Sequence, residues 1–238
     1  MSAEDYTQNQ LDRGALEVFD LVELVRHFQR ANGLEVDGKP GPLTLRALRP
    51  EPLPAEPEPS PLGLVASAAA LDDYQAGRGE EGGNNSGAWI EFELMGKAYD
   101  GDTDDDGPWC AFAVSHWIRS ACDFLDVVNP LATEKRPDGR HGLASRVWKL
   151  ARQAGRPVDL KAEIAAPGDV ICWSRDSKKW QGHVGLVCSV SPDGRDLVTW
   201  EGNTGPYPSR VARKVHKNFR ANRRLLGVAR LPMELVDN

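Results

Sequence analysis

The stretch "RPEPLPAEPEPSP", Arg49 to Pro61, constrains the fold of this chain more than any other feature: six prolines alternate there with acidic or small residues. Proline has no backbone N–H and its φ is locked, so neither a helix nor a sheet interior can run through such a segment. It reads as a semi-rigid, extended linker. No single core can span it. The expected organisation is a head of residues 1–49, with its core at about 15–49, a linker at 50–61 and a body of 62–238.

With 238 residues, 40% of them apolar, the body has enough material for a core of its own. A net charge of −6 argues against a general nucleic-acid binder, so no nucleic acid is expected as a partner. The opening "MSAEDYTQNQLDRGALEVFD" lacks the basic region and apolar run of a secretory signal, and no apolar run reaches the length of a membrane span. Synthesis in a cytoplasm and no membrane insertion are the expectations. Cys110, Cys122, Cys172 and Cys188 are too few and too irregularly spaced for a disulfide scaffold or a zinc knuckle, so reduced thiols are expected.

In the head, Val18, Phe19, Leu21, Val22, Val25 and Phe28 recur at helical spacing, and "ANG" at 31–33 supplies a glycine stop. A turn-rich connector leads to a second helical pattern from Pro42 through Leu43, Leu45, Ala47 and Leu48. In the body, "PWCAFAVSHWIRSACDFL" is an apolar helix with Pro108 suited to its start, which puts Cys110 in the first turn. A thiol there meets unpaired backbone N–H groups and the positive end of the helix dipole, which favour the thiolate. A buried structural cysteine is the alternative.

"PGDVICW" (167–173) and "GHVGLVCSV" (182–190) are short β-branched runs bounded by turn residues, and "SPDGRD" turns the second into "LVTWEGN". His183 opens one arm of that hairpin, while Glu201 and Asn203, two apart, close the other on one face. A cysteine, a histidine and an acid or amide can converge in this way for nucleophilic catalysis. His116, six positions beyond Cys110 on the same helix, falls mostly around its far side. A further helix is expected at Ala144 to Ala154, another near Ala88 to Tyr99, and a loop over the cleft between the cysteine helix and "PGDV". Trp109, Trp173, Trp180 and Trp200 lie near these motifs; the first, second and last are candidate substrate-binding residues, with core packing as the alternative. "RVARKVHKNFRANRR" (210–224) is strongly basic, either a solvated hairpin or a surface for anionic polymers.

The order "VRHFQRANGLEVDGKPGPLTLRAL" resembles the peptidoglycan-binding domain family, with Asp37, Gly38, Gly41 and Thr44 as turn and cap residues. The succession "PWCAFAVSHWI", "PGDVICW", "GHVGLV", "WEGNTG" resembles the CHAP branch of the NlpC-type papain-like cysteine hydrolases. That resemblance implies an α+β papain-like body, with an antiparallel sheet packed on the cysteine helix, beside an all-α head. It implies Cys110 as nucleophile, His183 as general base, and Glu201 or Asn203 as the third member, with the Cys110 N–H in the oxyanion pocket. It also implies an amidase or endopeptidase acting on bacterial peptidoglycan.

Asp102, Asp104 and Asp106 alternate ahead of Gly107 like the opening of a calcium loop, but the closing glutamate of an EF-hand would fall at Ala113. Some CHAP domains hold calcium just before the cysteine, so a site from Asp100, Asp102, Asp104 and Asp106 stands beside the alternative of a solvated acidic approach; no cofactor is required. Without a signal, the expected route to the wall is holin release, as for an endolysin, or delivery as an antibacterial effector. The latter would bring an immunity or delivery protein as partner. The rival classes are a non-catalytic wall-binding protein and a protease or deamidase of protein amides.

Overall fold

The computed structural model describes residues 18–41, 44, 58–97, 108–175 and 182–234. The chain divides into two compact units, Met1–Leu53 and Pro54–Asn238.

In the first unit the amphipathic pattern forms α1, Val18–Ala31. Gly33, at φ 65°, ends it: Leu34 N–H bonds to Gln29 O at 2.9 Å and Gly33 N–H to Arg30 O at 3.3 Å, which satisfies the last carbonyls of the helix. The Gln29 side chain is buried and organises the connector beyond the helix. Its amide N–H groups are shared among Asp37 Oδ1, Lys39 O and Thr44 Oγ1, and its carbonyl accepts from Gly38 N–H at 2.9 Å. Asp37, Gly38 and Thr44 thus shape the turn. Thr44 is helical, and the rest of the second helix expected from Pro42 lies outside the described residues.

The second unit opens on α2, Pro61–Gln75. Here the linker expectation is corrected at its last two positions, because Ser60 caps the helix by accepting from Gly63 N–H and Pro61 takes its first turn. A proline at that position gives up no helical hydrogen bond, so proline-rich composition alone does not mark the boundary. Instead of the ordinary helix expected near Ala88–Tyr99, Trp89–Met95 forms a π-helix closed by Gly96; residues 98–107 are outside the described set.

Helix α3, Cys110–Leu125, is apolar almost all round and correspondingly buried, with Ala111, Ala113, Val114, Trp117, Ile118 and Ala121 fully inaccessible. It packs against α2, the π-helix, α4 (Ala144–Ala154) and the sheet. The sheet has six strands: β1 (Arg156–Pro157), β2 (Val170–Ser174), β3 (Gly182–Val190), β4 (Leu197–Glu201), β5 (Ala212–His216) and β6 (Leu225–Arg230). Their order is β1-β6-β2-β3-β4-β5 and every pairing is antiparallel. The fold is α+β.

β2 is apolar at nearly every position because both of its faces are covered. Val170 and Cys172 join α2, α3 and α4 in the main core, while Ile171 and Trp173 join Val158, Val187, Leu197, Phe219 and Val228 in a second core behind the sheet. The aspartate of "PGDV" is structural. Asp169 is buried and accepts from Arg230 Nε and Nη2, both at 3.0 Å, and from Ala166 N–H at 2.8 Å, which ties β6 to the turn before β2.

Candidate active site

Cys110 is the first residue of α3, with Trp109 at the N-cap, and the first intrahelical bond runs from Ala113 N–H to Trp109 O at 2.9 Å. The Cys110 N–H therefore precedes the helical ladder, where an oxyanion donor is available. Cys110 is 2% exposed, and its thiol lies close enough to His183, on the first rungs of β3, for the imidazole to act on its ionisation. Burial pushes the Cys110 thiol up, but the His183 hydrogen bond and charge, the Arg175 guanidinium and the Val184 N–H outweigh it, so its pKa is lowered.

His183 Nε2 lies 2.7 Å from Glu201 Oε2. Burial depresses the imidazole, but the bonds to Cys110 and Glu201 prevail and raise its pKa from 6.5 to about 9. Burial pushes the Glu201 carboxyl up, and bonds from His183, His216 and Thr199 overcome that and hold it well below the usual carboxylate range. An ionised carboxylate only accepts, so Nε2 carries a proton, and Nδ1 on the other side of the ring lies 3.4 Å from Arg175 Nη2. The arrangement is a thiol, an imidazole and a buried carboxylate in sequence, with the Cys110 pKa lowered and the His183 pKa raised, the directions that favour a thiolate beside an imidazolium.

The β3–β4 register shows why the carboxylate is Glu201. Leu186 pairs with Trp200, so a continued ladder would place Glu201 opposite Gly185 and Asn203 opposite His183. The strand stops at Glu201, and Asn203 turns into the left-handed region at φ 53°. Its amide then donates to Asn85 Oδ1 at 2.6 Å instead of meeting the imidazole, and its carbonyl accepts from Arg175 Nη2 at 3.3 Å. Glu201 reaches His183 diagonally over Gly185, where a Cβ would lie 3.0 Å from Glu201 Cγ and 2.8 Å from Trp200 O. That glycine is there for room.

A cavity of about 320 Å³ stands over the thiol, lined by Pro108, Gly142, Leu143, Ala144, Arg175 and Gly182. The segment entering α4 thus forms one wall, where a loop over the cleft was expected. A larger cavity, about 490 Å³, lies on the far side of α3 around Asp73, Arg78, Trp89 and His116, away from Cys110. His116 is not part of the thiol site: Arg119 Nη2 donates to its Nδ1 at 3.0 Å, and burial followed by the charges of Arg119, Arg140 and Arg78 lowers its pKa to about 4.

The tryptophans are corrected from substrate-binding to core residues. Trp109 is fully buried, its indole N–H 3.3 Å from Glu80 Oε1 and its ring edge-on to Trp89. Trp200 is buried too, donating to Ser67 Oγ at 2.9 Å. Trp173 is buried beneath the imidazoles of His183 and His216, stacked at interplanar angles of 28° and 25°. Large apolar rings gain most by leaving water altogether: Trp109 and Trp200 do so in the main core between helices and sheet, and Trp173 in the second core behind the sheet. Trp180 and the calcium candidates Asp100, Asp102, Asp104 and Asp106 lie outside the described residues. Among the described residues no group of three His, Cys, Asp or Glu side chains could hold a metal ion.

Sequence reasoning missed Arg175, Thr199, Asn85 and His216. Thr199 was accessible, since it sits two residues before Glu201 on the same strand face. His216 was hidden in a basic run whose strand register nothing local reveals.

A family model described as "CHAP domain" matches residues 102–203, and one described as "Putative peptidoglycan binding domain" matches residues 20–48. No curated protein and no solved structure matches the chain.

Proposed function

We propose, starting from a chain that carries a CHAP domain behind a peptidoglycan-binding domain and is in general terms a peptidoglycan hydrolase, that it cleaves wall amide bonds by covalent thiol catalysis at Cys110. The bond is either the muramoyl–L-alanine amide or an amide of the stem or cross-bridge. The observation that carries the reading is the Cys110–His183–Glu201 arrangement at the floor of an open cavity.

In this reading the Cys110 thiolate attacks the amide carbonyl carbon, and the resulting oxyanion meets the Cys110 N–H at the start of α3. His183 gives its Nδ1 proton to the leaving amine, the C–N bond breaks, and a thioester remains. His183 then takes a proton from water, which attacks the thioester; the C–S bond breaks, the acid leaves, and the Cys110 thiolate and protonated His183 are restored. Glu201 holds the imidazole orientation throughout and stays ionised. Asn203, bonded to Asn85, shapes the rim beside Arg175 without touching the imidazole. The aspartate run is read as a solvated acidic approach to α3, with calcium binding as the alternative, and action in the periplasm or wall belongs to the same reading.

The test is mass spectrometry of fragments released from purified peptidoglycan by the wild type and by Cys110→Ala, with calcium and with chelator. Stem peptides with a free L-alanine amine establish an amidase; shortened or uncross-linked muropeptides establish an endopeptidase. Loss of products with chelator would make the aspartate run a calcium site. No products from several wall chemotypes would remove the hydrolase reading and leave wall binding as the function.

A further inference from the structure

Glu201 touches two imidazoles, and the thiol mechanism uses only one of them. Oε2 accepts from His183 Nε2 at 2.7 Å. Oε1 lies 2.7 Å from His216 Nε2 and accepts from Thr199 Oγ1 at 2.6 Å. His216 stands at the end of β5, beyond the residues matched by either family model. It is also hydrogen-bonded to Thr199 Oγ1 at 3.0 Å: with the hydroxyl proton given to Oε1, the His216 Nε2–H is shared between the Thr199 oxygen and Oε1. Trp173 lies under both imidazoles at nearly equal tilt, with ring centroids 6.0 Å from His183 and 4.8 Å from His216. One indole plane therefore sets both rings so that their Nε2–H groups reach opposite oxygens of a single carboxylate.

We propose that His216 is a positioning residue for the thiol reaction: by donating Nε2–H to Glu201 Oε1, it holds Oε2 on His183. The terminal torsion of a glutamate is broad and two-fold, so nothing in the side chain itself keeps one oxygen on His183. Donors on the far oxygen remove that freedom. They also satisfy a charge that is almost wholly out of water, its side chain 3% exposed. The titratable and charged groups around the Cys110–His183 pair are Glu201 from β4, Cys172 and Arg175 from β2 and its end, and His216 from β5 through Glu201. Of these, His216 is the one whose effect on the thiol passes wholly through the orientation of the carboxylate.

The inference rests on the thiol reading of Cys110, so the experiment measures the thiol without any wall substrate. Full-length wild type, His216→Gln and His216→Phe are alkylated with iodoacetamide across pH, and modification is quantified on the peptide containing Cys110. Glutamine can place its amide nitrogen where Nε2 sits, whereas phenylalanine keeps the stack on Trp173 and has no donor. The expected result is that His216→Gln reacts like wild type. His216→Phe should react about tenfold more slowly near pH 6, as for loss of one hydrogen bond to a charged group, with its midpoint moved up toward that of a free cysteine. A His216→Phe midpoint equal to that of wild type, or His216→Gln as slow as His216→Phe, overturns the proposal. Should His216→Phe not fold, His216→Asn replaces it, because its amide nitrogen lies at the Nδ1 position and cannot reach Oε1; the same slowing is expected and its absence overturns the proposal equally. A wild-type Cys110 that titrates like a free thiol removes the thiol reading and this one together. A reactive wild type with unmoved variants removes this one alone.

Discussion

Glu201 is the residue on which the site balances, since three donors converge on a carboxylate almost wholly out of water. Glu201→Gln keeps the shape but turns an NH₂ toward at least one of those donors and removes the charge that holds the imidazolium. We expect kcat/KM on wall fragments to fall by roughly 10²-fold or more, the scale of losing positioned acid–base catalysis. The melting temperature should also drop, by the equivalent of about 1–3 kcal/mol for unsatisfied buried donors. The pH dependence has a definite sign. Activity needs the thiolate and the imidazolium together, so kcat/KM should fall as the medium is made alkaline through about pH 9, where His183 loses its proton. It should hold on the acid side to below the usual thiol range, because the Cys110 pKa is lowered. Stability depends on the same groups. The raised His183 pKa contributes stability fully present below about 6.5 and lost as pH rises through about 9. The depressed Glu201 pKa contributes stability present above 4.5 and lost on acidification. Melting temperatures across pH check both limbs.

Elements meet at the site through close approaches that only small residues allow. Gly202, just past the end of β4, lies on the Trp109 indole: a Cβ there would sit 2.5 Å from Trp109 Cζ3 and 2.9 Å from Ala113 Cβ. Gly202→Ala must therefore push β4 off the start of α3, and with it Glu201 and His183 away from Cys110. Overpacking of this kind costs about 1–3 kcal/mol. We expect Cys110 alkylation near neutral pH to slow together with that loss of stability, both readable on the same sample. Asp169→Ala acts elsewhere on the sheet. It takes the bidentate partner from Arg230, whose side chain is 3% exposed, and leaves it only Glu163 Oε2 at 3.3 Å and Ile164 O at 3.2 Å. Breaking a buried pair from one side costs about 3–5 kcal/mol. The denaturant midpoint should fall accordingly, while the folded fraction keeps its thiol reactivity because the pair does not touch Cys110. The elements themselves were largely legible. Helix α4 falls on the expected Ala144–Ala154, and β2 and β3 on the two β-branched runs, because helical periodicity and turn residues act over a few positions. The π-helix was not legible, since Trp89, Ile90, Leu94 and Met95 are buried by their neighbours rather than arranged by an α-helical period.

For the whole molecule, the two compact units divide the labour proposed here, the head for attachment and the body for chemistry. Removing residues 1–53 should leave turnover of small soluble muropeptides unchanged within about twofold. Release of product from insoluble wall should slow on the order of tenfold as the local concentration supplied by tethering is lost; turbidity clearance beside a soluble-fragment assay measures the difference. The proline-rich joint, the thiol at a helix start and the histidine at a strand start can all be read from the chain, because backbone donors, locked dihedrals and alternation are properties of neighbouring residues. Other features depend on parts of the chain far from one another. Glu201 rather than Asn203 meets His183 because β4 ends before its ladder reaches that rung. Trp109 and Trp200 serve the core because helix and sheet close over them, Trp173 because the second core covers the back of the sheet, and His216 joins the carboxylate because β5 lies beside β4. Register, strand ends and burial arise from the packing of the complete chain, and no local window of residues carries that information.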